Sequence, residues 1–312
     1  MMCVRSTARP ACDFPTIAAV VLLAACSAKG TSSQATASAS VSGAPSTSAA
    51  ASASASAAAS ASAGGAIPAE KVAAVLNPKG QTPYAGPVGT LHGTVHVKGD
   101  EPPMQKVTIP EQCRGAAATY GKLFRVGQDK TLADVLVAVT GYDAYVPDPV
   151  LSADVPIRDC AYASRTYALT FGQFLSVRNL DGNVSYLPLL QGGRSHAVMV
   201  ATPLGEAVKL YAPEPKMYRL VDEMSRPFMV ADVFVLRYPT HAVTQLDGRY
   251  EIKGIPVGDM HVSALLPAAA MKVVNLPTKI QEGDNTLDIT IEFNAKKDVV
   301  KEAPPAPSPG PP

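Results

Sequence analysis

Few residues of this 312-residue chain could do chemistry, and they are scattered along it. Cys113 and Cys160 could pair as a disulfide, stay as buried thiols or hold a soft metal. Met217, Met224 and Met229 lie close in sequence, and thioethers can hold Cu(I), although Met is also the usual filler of irregular core gaps. His92 and His96 fall on one face of an alternating segment. Four residues of strand separate them by roughly 13 Å, too far to chelate one ion unaided. His196 follows Gly192-Gly193-Arg194-Ser195, which reads as a turn rather than a catalytic Ser-His pair, and His241 and His261 read as packing residues. There is no Gly-x-Ser-x-Gly elbow, no His-Glu-x-x-His and no phosphate loop, so the expectation is a protein without an enzymatic site. A net charge of +1 and no basic stripe argue against nucleic acid as a partner.

The elements that would position these residues are strands. LHGTVHVKG, DVLVAVTGY, VADVFVLRY and NTLDITIEF alternate or run apolar between Gly, Pro, Asn and Asp, the pattern of an all-β sandwich. Helical periodicity is confined to residues 70–76 and a short turn near 112–120. Residues 84–294 are enough for one large sandwich or two small packed ones, and the Pro-rich residues 295–312 should be unfolded. Between residues 241 and 267 the pattern is strand, Asp247-Gly248 turn, strand, Pro256-x-Gly258 turn, strand. Thr244-x-x-Asp247-Gly248-x-Tyr250-x-Ile252-x-Gly254-Ile255-Pro256-x-Gly258 resembles the carboxypeptidase regulatory-like segment. That resemblance implies a transthyretin-like sandwich over about 232–294 and no particular chemistry.

The first 25 residues carry Arg5 and Arg9 before an apolar run, too short to span a bilayer, that ends Leu23-Ala24-Ala25-Cys26. This ending resembles the lipobox of bacterial lipoproteins. The resemblance implies that residues 1–25 are a signal peptide and that Cys26 is acylated and inserted in a bilayer. Ser27 after the Cys implies an exported protein of the outer membrane. Residues 26–83 are dominated by Ala and Ser and carry too little apolar bulk to fold, so they read as a flexible stalk. Cys3 and Cys12 would leave with the signal peptide. In an oxidising compartment the two thiols left beyond Cys26 are then expected to pair, Cys113 with Cys160.

The middle of the chain carries a further likeness. Cys160-Ala161-Tyr162, Phe171-Gly172-Gln173-x-Leu175-x-Val177-x-Asn179-x-Asp181, Pro227-Phe228-Met229 and Val233-Phe234-Val235 occur in the order seen in exported cupredoxin-like (plastocyanin-like) proteins. Some of these are labelled methylamine-utilisation proteins. That resemblance implies a copper site of His, Cys, His and Met. Here Ser185 or a neighbour stands at the first His, Val221 at the Cys and Met224 at the second His, so only Met229 matches. The expectation is therefore a lipid-anchored envelope protein whose sandwich is a binding or structural module without a cofactor, its protein or glycan partner unknown. One alternative is a rebuilt copper or electron-transfer site using Met224 and Met229. Another is a carbohydrate-binding module presenting Tyr142, Tyr145, Tyr162 and Tyr186.

Overall fold

The computed structural model describes residues 65–192, 199–224 and 226–299. Cys26, most of the stalk, His196 and the Pro-rich tail beyond residue 299 lie outside the described residues. The described residues open on a short helix, α1 (Ala69–Leu76), whose Val72, Val75 and Leu76 pack on a core although they lie in the segment expected as a flexible stalk. Apart from short helical turns at residues 111–120 and 128–130, the rest is strands and loops, as the alternating segments predict.

Among the described residues, sixteen strands form four sheets of four. The first sheet contains β1 (Val88–Gly99), flanked by β12 (Arg249–Pro256) and, in parallel, by β15 (Gly283–Thr286) and then β16 (Ile289–Phe293). Facing it, β2 (Leu136–Thr140) lies between β11 (His241–Val243) and β13 (Gly258–Leu266), and β14 (Lys272–Ile280) closes that sheet. Register puts like on like: Val95 and Val97 pair with Ile289 and Ile291, and Val137 and Val139 pair with Ala264 and Val262. These side chains, with Leu91, Ile252 and Phe124, make one buried core. Phe124 meets Phe293 edge-on, with ring centroids 4.8 Å apart.

A second sandwich is inserted between β2 and β11. One of its sheets runs β4 (Ala161–Tyr162), β3 (Ser152–Arg158), β6 (Phe174–Asn179), β8 (Val208–Tyr211). The other runs β5 (Thr166–Thr170), β10 (Val230–Leu236), β9 (Met217–Asp222), β7 (Pro188–Gln191). Val155, Ile157, Leu175 and Val177 from the first sheet meet Leu169, Leu220, Val233 and Val235 from the second in a separate core. The disulfide joins Cys113 to Cys160 at a Cα separation of 5.3 Å, tying the 3₁₀ segment Glu111–Ala116 to the β3–β4 turn, as expected.

Two local expectations differ from the structure. The Asp247-Gly248 turn closes, with Gly248 at φ +69° donating its N–H to the Gln245 carbonyl, but it makes no hairpin. β11 before it pairs with β2 and β12 after it pairs with β1, so the turn carries the chain from one sheet to the other. A Cβ on Gly248 would sit 2.6 Å from the Val95 carbonyl oxygen, so this crossing needs glycine. The strand β10, which begins near the expected start of the second part at residue 232, belongs to the inserted sandwich. The regulatory-like motif instead finds its sheet partners in β1 and β2, more than a hundred residues earlier.

Two polar clusters, one buried and one partly buried, lie between the sandwiches. Asp134, only 3% exposed, accepts from Arg125 Nε at 2.7 Å and Nη2 at 2.5 Å, from Ser164 Oγ at 2.7 Å and from the Arg165 backbone N at 2.8 Å. At the second cluster, Thr170 Oγ1 donates to Asp148 Oδ2 at 2.6 Å and lies 3.4 Å from His241 Nε2. Burial lowers His241 to about 4, against a smaller upward pull from Asp148. Its folded value lies below the free value of about 6.5, so the unfolded chain takes the proton first. The stability involved is complete above about 6.5 and is lost as pH falls towards 4. Chemical unfolding across this window should show a loss of roughly 3 kcal/mol that His241→Gln removes. Equal slopes for both proteins would contradict that assignment.

Candidate functional site

Alternation along β9 builds one wall of a cleft between the sandwiches. Tyr218 and Leu220 point into the core of the inserted sandwich, which leaves Met217 and Arg219 on the outer face. On the neighbouring β10, Ala231 and Val233 are buried and Val230 and Asp232 face outwards with them. Register places Thr166, Asp232 and Arg219 in one row across β5, β10 and β9, at the usual inter-strand spacing of about 4.8 Å. The opposite wall comes from the other sandwich, through Pro267, Ala268 and Met271 in the β13–β14 turn, together with Leu123 and Phe124. Ala270 and Met271 take φ of +52° and +59°, a conformation that side-chain-bearing residues avoid, and it is needed to reverse the chain beside the cleft. The cleft has a volume of about 950 Å³.

Charge in this cleft is unevenly satisfied. Asp134 lines it but is taken up by Arg125 and Ser164. Arg165 Nη1 donates to the Lys122 and Leu123 carbonyls at 3.0 and 2.7 Å, and its guanidinium carbon sits 5.9 Å from the centre of the Tyr120 ring. Burial lowers the Arg165 pKa, and the nearby Asp134, Tyr120 and Asp232 offset this only in part. Burial likewise raises the Asp232 carboxyl, held back incompletely by Arg219 and Arg165. None of Lys106, Arg165, Arg219 and Asp232 belongs to an ion pair among the described residues.

The residues singled out from sequence fall elsewhere. Met229 is wholly buried in the core, whereas Met224 lies in the turn beyond β9 and is exposed. Met217 opens β9, and the Met229 carbonyl accepts from Asp222 at the far end of that strand, which separates Met217 from Met229 by roughly 17 Å along the strand. Among the residues matched to the cupredoxin pattern, the structure holds an ion pair between Arg226 and Asp222. Arg226 Nη1 donates to Asp222 Oδ2 at 2.6 Å and to the Ser185 carbonyl at 3.4 Å, and its guanidinium carbon stacks 4.7 Å from the Tyr186 ring. Asp222 Oδ1 accepts from the Leu187 backbone N at 2.7 Å. A guanidinium here, with valine at position 221, does not fit a copper ion, because the place already carries a cation and lacks the thiolate.

His92 lies on the outer side of β1 with Nε2 2.9 Å from Thr286 Oγ1, and His96 Nδ1 is 3.3 Å from the Asp129 carbonyl, so the two are engaged separately. Of the four tyrosines expected at the surface, two are not there. Tyr162 and Tyr186 are fully buried, and Tyr142 and Tyr145 are partly covered. A phenol ring brings more apolar area than its hydroxyl costs once that hydroxyl is bonded, as Tyr186 Oη is to Asp181 Oδ2. Sequence reasoning missed Arg165, Arg219 and Asp232. The available signal was the strict alternation Met217-Tyr218-Arg219-Leu220, which marks a strand with a charged outer face.

No family model matches this chain, and no curated protein matches it. Solved structures similar to part of it include amicyanin from Paracoccus versutus, at 17% identity and a TM-score of 0.24, covering 29% of this chain and 85% of that one. A reduced mutant of amicyanin shows 18% identity and a TM-score of 0.24, covering 28% of this chain and 83% of that one. The copper-containing nitrite reductase of Thermus scotoductus SA-01 shows 12% identity and a TM-score of 0.24, covering 31% of this chain and 25% of that one.

Proposed function

We propose that this protein is an exported, lipid-anchored component of the cell envelope, held in the outer membrane, whose paired sandwiches form a non-catalytic binding module. The observation that carries the binding reading is the cleft between the sandwiches, where Arg165, Arg219 and Asp232 stand unpaired among the described residues beside apolar walls. A concave site with a few convergent polar groups carrying shifted pKa values is the usual form of a ligand pocket. The anchor is supported by Leu23-Ala24-Ala25-Cys26 and by the Ala/Ser-rich residues that follow.

Metabolic labelling with an alkyne-bearing palmitate tests the anchor. Wild type is expected to be labelled and to sediment with membranes, and Cys26→Ala to be unlabelled. Equal labelling of both would overturn the anchor and leave the binding reading to its own test.

A further inference from the structure

Resting on the reading of the cleft as a binding site, we propose that its ligand is a small organic acid. The carboxylate is received by Arg165 and Arg219, and a neighbouring hydroxyl or ammonium group on the ligand donates to Asp232.

The charge count points to an anion. With Asp134 neutralised by Arg125, the cleft presents Lys106, Arg165 and Arg219 against Asp232 alone. Arg165 is set in advance for such a ligand: its Nη1 is spent on two backbone carbonyls and its plane is steadied by Tyr120, so its position is fixed before anything binds. A guanidinium receives a carboxylate through paired N–H donors. The bound anion would replace the hydration that burial has removed from Arg165.

Asp232 narrows the class. Between Thr166 and Arg219 in the row across the sheet, it would repel a ligand that brought only negative charge. A hydroxyl or ammonium beside the ligand carboxylate turns that repulsion into a hydrogen bond, which favours hydroxy acids, uronic acids and amino acids over phosphate or sulfate. Met217, Phe228, Pro267 and Met271 line the same space and would cover a hydrocarbon body or the apolar face of a sugar ring. A cleft of about 950 Å³ has room for more than a single sugar or amino acid, within the range of pockets for drug-sized ligands.

Calorimetric titration of the full-length protein in detergent tests this with galacturonate oligomers, glutamate, succinate, galactose oligomers and inorganic phosphate. Binding is expected for galacturonate or glutamate in preference to succinate, galactose and phosphate. Arg219→Ala, at an exposed position, should weaken it by about tenfold or more. Asp232→Asn should raise succinate towards the level of the preferred acid. Preference for the uronate over glutamate would identify the source as an acidic glycan, and the reverse an amino acid or peptide end. Galactose binding that Arg219→Ala leaves unchanged would overturn the organic-acid class while keeping the cleft as a binding site. No binding by any probe would overturn this inference, without touching the labelling result for Cys26.

Discussion

Asp134→Ala should be the most damaging single substitution in the protein, lowering unfolding stability by about 3–5 kcal/mol. Asp134 is buried and accepts four hydrogen bonds, two from the Arg125 guanidinium, one from Ser164 and one from the Arg165 backbone. Removing it strands a guanidinium that is itself nearly covered, since the Arg125 side chain is only 10% exposed. Such a charge loses both its water and its partner. The position also has φ +64°, which Asp and Asn tolerate better than Ala. Asp134→Asn therefore separates the two causes, because it keeps the backbone preference and removes the charge. Because Ser164 and Arg165 belong to the inserted sandwich and Asp134 to the other, the loss should appear as earlier separation of the two. Urea unfolding followed by hydrogen exchange would show protection falling first at residues 163–166. A change below about 1 kcal/mol would contradict this account of the junction.

The second large effect is expected at the disulfide. Replacing both cysteines, in Cys113→Ser with Cys160→Ser, should destabilise the protein by about 4 kcal/mol, since the bridge closes a loop across a sequence separation of 47. Both residues are buried in the core of the inserted sandwich. Cys160 also donates its backbone N–H to Tyr186 Oη at 3.2 Å, so the β3–β4 turn should loosen around Tyr186 and Asp181. Wild type under reductant should approach the double variant in melting temperature. A variant that melts with oxidised wild type would show that the bridge contributes no stability.

The two predictions differ in how far they could have been foreseen. Pairing of Cys113 with Cys160 was expected from the sequence on the reading of residues 1–25 as a signal peptide, which leaves two thiols beyond Cys26, and the disulfide is present. The Asp134 cluster was not expected. Arg125, Asp134, Ser164 and Arg165 are ordinary polar residues in sequence, and only the docking of two separately cored sandwiches brings them together. Strands were legible wherever alternation was clean, as in β1, β10 and β16. β9 was overlooked although its alternation is as strict. Partners were less legible than strands: the Asp247-Gly248 turn looks like a hairpin because Gly at positive φ suits one, yet β11 and β12 join different sheets. Local sequence sets the turn, and burial of β12 against β1 decides where the chain goes next. Tyr186 misled for a related reason, since a ring that can face solvent can equally fill a core once its hydroxyl finds a partner, here Asp181. Tyr162, by contrast, is buried with its hydroxyl unpartnered among the described residues.

The central claim concerns the cleft, and two methionines report on it. Met217 and Met271 line it, whereas Met229 and Met260 are buried in the cores of the two different sandwiches. Methyl-labelled methionine NMR of the full-length protein, titrated with the organic acid that binds best, reads all four positions at once. Saturable shifts at Met217 and Met271, with Met229 and Met260 unmoved and the response lost in Arg219→Ala, are the predicted result. Methyls at Met217 and Met271 that stay fixed while the acid binds would place the ligand elsewhere and contradict the account.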